Sequence, residues 1–244
     1  VTINTAYRGQ TLEHAINTAQ ATHLLIEDRY LGVLRESEAL LPRLERVLHF
    51  SSDDPEAGRP GQLVRADFGR LSLSPLPTSH EAPEGWTPPG AQPQDLASII
   101  FTSGTSGPAK GVMLAQAQTY LVSHESATQL RVTGDDTYYI FHPLFHMSPR
   151  YVAIYAALIA GAQVCIDRTF SAPDWLDRIR ASRATVSIAH GPMLEMIHAQ
   201  PVRDNDADNT LVRFATSPFP KHIAADFEHR FGRSLHQRKI VGPA

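Results

Sequence analysis

Thr102-Ser103-Gly104-Thr105-Ser106-Gly107-Pro108-Ala109-Lys110-Gly111 sets four hydroxyls, three glycines and one lysine between the apolar runs Ile99-Ile100-Phe101 and Val112-Met113-Leu114. The flanking runs predict two short buried strands, so the polar decapeptide is expected as a loop held at both ends. Glycines let a backbone turn its N–H groups toward one anion, Ser and Thr hydroxyls add neutral donors, and the lysine adds a mobile positive charge. That chemistry suits a polyphosphate. A flexible Ser/Gly-rich surface loop shares the composition, but it is seldom clamped between two strands and closed by Lys-Gly. The pattern G-x-x-x-x-G-K-[ST] is excluded, because from Gly104 it requires glycine at Ala109 and Ser or Thr at Gly111. Small polar residues and glycines bury little surface, so the loop is expected to be poorly ordered until a phosphate ligand arrives.

Outward from this loop the chain alternates. Apolar positions at Leu12, Ala15, Ile16 and Ala19 have helical spacing and predict a helix over residues 9–20, followed by a strand over 23–26. A helix over 31–41 and a strand over 47–50 come next. Residues 72–93 are rich in proline, lack periodicity and are expected as a surface loop. Beyond the decapeptide the expected order is helix 116–130, strand 138–141, helix 151–159, strand 163–166, helix 175–182, strand 185–188, helix 193–200, strand 212–215 and helix 220–231. Ser171 is read as the cap of the helix over 175–182, with Asp174 three positions later. Ile223, Phe227 and Phe231 fall on one face of the last helix. Such alternation predicts an α/β fold, with parallel sheets covered by helices.

Composition narrows the setting. A chain of 244 residues with 42% hydrophobic residues can bury one substantial core or two small ones, and one large domain is the simplest reading. A net charge of -3, with scattered lysines and arginines, gives no electrostatic reason to expect nucleic acid or an anionic membrane as partner. The longest apolar region, residues 151–166, is interrupted by Gly161 and Gln163 and falls short of the ~20 residues of a membrane span. The single cysteine, Cys165, excludes an internal disulfide, suits a reducing, cytoplasmic compartment and reads as a small buried side chain. The chain begins at Val1 and carries no signal sequence, so an internal piece of a longer protein is expected. Oligomeric state is not legible.

The decapeptide resembles the T-S-G-[ST]-[TS]-G-x-P-K-G signature of the adenylate-forming superfamily, which comprises acyl- and aryl-CoA synthetases, peptide-synthetase adenylation domains and luciferases. Nine of the ten positions fit, with Ala109 standing where the family has proline. Val1-Thr2-Ile3-Asn4-Thr5-Ala6-Tyr7-Arg8-Gly9 resembles the family's V-x-x-N-x-x-x-x-G segment opening a helix, and Pro143-Leu144-Phe145-His146-Met147 resembles its P-x-F-H block. Gly191-Pro192-Met193-Leu194 sits where the family has a proline-bearing turn before a helix. Within the superfamily, residues 170–232, with Ser171-Ala172, Trp175, Arg183-Ala184-Thr185-Val186 and Phe231-Gly232, look most like the carnitine and crotonobetaine CoA ligases.

The resemblance implies an AMP-forming acyl-CoA ligase: a small-molecule carboxylate attacks the α-phosphorus of ATP, pyrophosphate leaves, and coenzyme A captures the acyl-adenylate. It implies that Thr102, Ser103, Gly104, Thr105, Ser106 and Gly107 hold the β- and γ-phosphates, with Lys110 as counter-charge and Mg2+ bridging phosphate oxygens. His146 is implied to face the acyl group. Thr216-Ser217-Pro218-Phe219-Pro220 occupies the place of the family's G-G-A-P-L-P segment, so Thr216 and Ser217 are implied at the adenine and substrate pocket, where their side chains replace two glycines. The family's aromatic-Gly-x-Thr-Glu motif, whose glutamate holds the metal, belongs shortly after Leu235. Residues 236–244 read otherwise, as an atypical tail. The chain is therefore expected to be a partial large domain (1–71, the 72–94 loop, 95–235, and the tail), incomplete at both ends and inactive alone in the full reaction. The alternative is a non-catalytic nucleotide- or acyl-binding remnant.

Three other features bear on the chemistry. His142 and His146 have an i, i+4 metal-ligand spacing, but Pro143 opposes a helix there and no acidic partner completes H-E-x-x-H, so no zinc site is assigned. Arg150 reads as a solvated arginine at a helix start. No G-x-S-x-G elbow supports a serine hydrolase.

Overall fold

The computed structural model describes residues 1–51, 68–77, 85–102, 108–232 and 235–237, and these fall into two units, Val1–Ala115 and Gln116–Ala244. Composition alone favoured one large domain. The division follows from separate cores: one apolar cluster lies in the first unit and two lie in the second.

In the first unit the helical spacing places Ala15 and Ile16 on the buried face of α1 (Gly9–Thr18). β1 (His23–Glu27), α2 (Leu31–Ser37), β2 (Arg46–Phe50) and β3 (Ser72–Pro75) follow, and the strands pair in parallel in the order β1-β2-β3. Ile16, Leu31, Leu34, Leu41, Leu44, Val47 and Leu73 form the core of that sheet. β3 corrects the sequence reading, which gave these residues to the proline-rich loop. Only Leu73 of its four residues is buried, so its pattern is too short to register as alternation. Its position is fixed by tertiary bonds: the Glu38 carboxylate accepts N–H groups from Gly69, Arg70 and Leu71, and Arg70 donates to the Leu44 carbonyl at 2.6 Å. Burial works against the Glu38 charge, but those three N–H bonds hold its pKa below the ordinary carboxylate value.

β4 (Leu96–Phe101) and β5 (Gly111–Ala115) form an antiparallel pair, with Phe101 opposite Gly111. A Cβ on Gly111 would meet Ile99 Cγ2 at 3.0 Å, so the glycine that closes the decapeptide also lets the strand lie against its neighbour.

The second unit is a five-stranded, fully parallel sheet in the order β10-β9-β8-β6-β7: β6 (Thr137–Ile140), β7 (Gln163–Ile166), β8 (Val186–Ala189), β9 (Arg213–Thr216) and β10 (Leu235–Gln237). Side chains alternate faces along a strand, so Tyr138 and Ile140 join one core while Tyr139 and Phe141 join the other. α3 (Gln116–Gln129) and α4 (Tyr155–Ala160) cover the first face. α5 (Trp175–Ser182), α6 (Gly191–His198) and α7 (Ala224–Phe231) cover the second, where Trp175 packs against Phe214, Phe227 and Phe231. At the amino ends of the strands, Asp136 accepts from Thr185 Oγ1 at 2.7 Å and pairs with Arg213, tying β6, β8 and β9 together.

Several local expectations are corrected. The helix predicted over 151–159 begins as a π-helical stretch, Ser148–Ile154, in which Tyr155 N–H reaches back to Arg150 O before α4 takes over. Ser171 does not cap α5; its hydroxyl donates to the Asp174 carboxylate at 2.6 Å, and Asp174 itself occupies the cap position. Gly191 and Pro192 are the first residues of α6 rather than a turn before it, since proline fits the first helical turn without losing a bond. Leu235–Gln237, partly placed in the atypical tail, extend the sheet as β10 beside β9.

Candidate functional site

Thr102 and Lys110 stand just past the paired ends of β4 and β5. Thr102 N–H donates to Lys110 O at 3.0 Å, and Lys110 N–H donates to the Thr102 hydroxyl at 3.3 Å. The hydroxyl thus accepts through oxygen while retaining its proton as a donor. Lys110 is exposed, and among the described residues no carboxylate pairs with it. Its flexible stem therefore leaves the ammonium available to an anion. One residue upstream, Ala109 O accepts from His14 Nε2 of α1 at 2.7 Å. Where the family has a rigid proline, this chain has an alanine whose carbonyl is held by a histidine. Ser103, Gly104, Thr105, Ser106 and Gly107, and with them the expectation of poor order, lie outside the described residues.

The second site arises from topology. The chain leaving β6 passes to the helices on one face of the sheet, whereas the chain leaving the adjacent β8 enters α6 on the other. Open parallel sheets bind ligands in the crevice at the carboxyl ends of two such strands. Three histidines occupy it. His142 is two residues past β6, His146 four residues further, and His190 immediately past β8. His142 is 4% exposed and its two ring nitrogens have no hydrogen-bond partner among the described residues. Its ring stacks on Phe141 (centroids 4.7 Å apart, planes 20°) and meets the ring of His190 edge-on at 5.0 Å. Loss of hydration, followed by the nearby His190 and His146, pushes the His142 pKa down to about 4. His146 is at the surface, its ring tilted against Phe145 with centroids 4.4 Å apart; partial dehydration and His190 lower its pKa as well. His190 is exposed and its Nδ1–H donates to the Ser217 carbonyl at 3.0 Å.

That bond brings in the end of β9. Thr216 is fully buried and its hydroxyl donates to Pro218 O at 3.2 Å, so its side chain faces the protein rather than an open pocket. Ser217 and Pro218 are joined by a cis peptide bond. A Cβ on Gly191 would stand 3.0 Å from Pro218 O, so α6 begins in close backbone contact with this segment. Arg150, read as solvated, is half-buried with its guanidinium 5.0 Å over the Tyr151 ring. Cys165 is half-buried against the second-face core. No three or more His, Cys, Asp or Glu side chains gather to hold a metal ion among the described residues. Magnesium in nucleotide sites is held largely by phosphate oxygens and one or two carboxylates, so these residues do not by themselves build its site.

The structure therefore brings His146 to the switch point and Thr102 beside Lys110. Sequence reasoning weighed His142 only as a zinc ligand and missed His190 and His14. The signal for His190 was its position directly after a strand that precedes a helix; nothing local marked His14, whose partner is 95 positions away.

Residues 1–240 match the profile described as AMP-binding enzyme. The chain is 34% identical over 150 residues to a steroid-22-oyl-CoA synthetase of Rhodococcus jostii (strain RHA1), covering 61% of this chain and 27% of that protein. It is 30% identical over 177 residues to a crotonobetaine/carnitine–CoA ligase of Salmonella enteritidis PT4 (strain P125109), covering 72% and 34%. Among solved structures, ATP-bound MatB from Rhodopseudomonas palustris superposes with a TM-score of 0.73 at 22% identity, over 97% of this chain and 43% of that one. The chain thus spans about a third of the length of the curated relatives it matches. No helix among the described residues is long and apolar enough to cross a membrane. With a match over nearly its whole length, the chain belongs to the AMP-binding enzyme family.

Proposed function

We propose that this chain carries the nucleotide-handling and acyl-handling parts of an AMP-forming acid–CoA ligase. The observation that carries this reading is the family match over residues 1–240, which includes both the decapeptide and the switch-point histidines. In the proposed reaction a carboxylate oxygen forms a bond to the α-phosphorus of ATP as the bond to pyrophosphate breaks. The thiol of coenzyme A then displaces AMP from the acyl-adenylate. Such chemistry is mostly positioning and neutralisation of charge.

In this reading Thr102, Ser103, Gly104, Thr105, Ser106 and Gly107 cradle the β- and γ-phosphates and Lys110 offsets their charge. Magnesium, when bound with the nucleotide, supplies further neutralisation of the phosphates; its remaining protein ligands are not assigned. His146 faces the acyl group. Ser217 contributes to the substrate pocket through its backbone, whereas the buried Thr216 supports that backbone from behind. The names of the relatives, which join CoA to a steroid acid or to crotonobetaine and carnitine, support a small organic acid as substrate. The lone cysteine fits a reducing, cytoplasmic setting.

The test is carboxylate-dependent pyrophosphate release from ATP by the protein that carries this chain, over a panel of short-chain, alicyclic and betaine acids, beside Lys110→Ala. Release that needs both acid and Lys110 is expected. Release independent of any acid, or unchanged in Lys110→Ala, contradicts the reading.

A further inference from the structure

The imidazole of His142 is almost wholly removed from water, yet neither nitrogen is bonded within the described protein. Buried hydroxyls nearby in the second unit are satisfied: Ser187 of β8 donates to Tyr139 O at 2.9 Å and Ser126 of α3 to Val152 O at 2.6 Å. The Trp175 Nε1 is also unbonded, but that ring lies inside the aromatic core, with Phe214 stacked at 5.5 Å. His142 differs in place. It stands at the switch point, edge to face with the exposed His190, beside the crevice where an α/β sheet receives its ligand. An unmade buried hydrogen bond is costly, and a ligand that supplies it recovers the cost.

We infer that His142 recognises a neutral oxygen, a hydroxyl or a carbonyl, carried on the acid at a distance from its carboxylate. The inference rests on the acyl-ligase reading given above. The surroundings decide against the other polar groups. With His190 and His146 close by and water excluded, the ring stays neutral, its pKa pushed down to about 4, so one nitrogen donates and the other accepts. A hydroxyl matches either nitrogen and a ketone matches the donor. A quaternary ammonium offers no hydrogen bond. A second carboxylate would have to shed its hydration in a recess that also resists charging the imidazole. The half-buried Phe170, packed on the core ring of Phe141 at 5.2 Å, offers apolar surface to the hydrocarbon that carries the oxygen.

The probes are octanoate and octanoates bearing one oxo or hydroxyl group walked along the acyl chain, titrated into the protein that carries this chain, with 15N-labelled imidazoles. At least one oxygenated isomer is expected to bind about tenfold tighter than octanoate and to move the His142 ring nitrogens, with the preference falling to near unity in His142→Leu. Circular dichroism and the thermal midpoint check that the variant folds. The nitrogen shifts in the unmutated protein carry the test if it does not. Equal affinity across the series, a preference that survives in His142→Leu, or His142 nitrogens unmoved by the tightest isomer overturns the inference. If plain octanoate still drives Lys110-dependent pyrophosphate release in that case, the ligase reading stands and only the specificity claim fails; if no acid does, the reading beneath it fails too.

Discussion

Lowering the pH from 7 to 5 should selectively destabilise this protein through His142. An unfolded histidine titrates near 6.5, whereas burial, with His190 and His146 nearby, pushes the folded value of His142 down to about 4. The unfolded chain therefore binds more protons than the folded one between those values. Stability is fully present above pH 6.5 and is lost as the pH falls toward 4, after which the loss from this residue levels off. The separation of about 2.5 units corresponds to about 3 kcal/mol in all, of which about 2 kcal/mol falls between pH 7 and pH 5. Urea unfolding at pH 7, 6 and 5, compared between the parent and His142→Leu, isolates the effect. The leucine removes two unbonded buried nitrogens, so the variant should be no less stable at pH 7 and should lack about 2 kcal/mol of the acid-induced loss. His146, whose pKa is also lowered, contributes to both proteins and cancels in the comparison. Parallel pH profiles for the two proteins would refute the claim that His142 is held neutral by burial.

Lys110→Ala should slow acyl-adenylate formation by the protein carrying this chain and leave thioester formation from preformed acyl-adenylate less affected, measured as separate half-reactions; equal losses in both would place the lysine elsewhere. Gly191→Ala should destabilise the fold by about 1–3 kcal/mol in urea unfolding, because its Cβ would press on the Pro218 backbone oxygen at 3.0 Å. Gly134→Ala, whose Cβ meets nothing nearer than 3.7 Å, serves as the control and should stay within about 0.5 kcal/mol of the parent.

The sequence conveyed the βα alternation of the second unit because each strand there is a short apolar run bounded by a helix with its own periodicity. Tyr138 through Phe141 and Val186 through Ala189 are buried on both faces, which reads as continuous hydrophobicity. β3 and β10 were missed for the opposite reason: β3 buries one residue of four and β10 has only three residues, and their pairing is set by neighbours distant in sequence. Ser171-x-x-Asp174 had the spacing of a cap, but the two side chains bonded to each other. At the candidate site, Lys110 and His146 were legible because their surroundings carry motifs. His142 and His190 were not, since their meaning comes from strand order, which brings residues 48 positions apart to one edge-to-face contact. The burial of Thr216 was hidden likewise, because its place at a strand end does not reveal which way its hydroxyl bonds.

The claim at the centre of this account is that the β4–β5 turn holds a polyphosphate, and the most direct measurement is the affinity of the protein for ATP relative to AMP, by calorimetry, in the parent and in Lys110→Ala. The account predicts that ATP binds more tightly than AMP and that most of the preference disappears in Lys110→Ala, with about a tenfold or greater loss for ATP and little for AMP, as expected when a charge-assisted contact to the outer phosphates is removed. Equal affinity for ATP and AMP in the parent, or an ATP preference undiminished by Lys110→Ala, would contradict it.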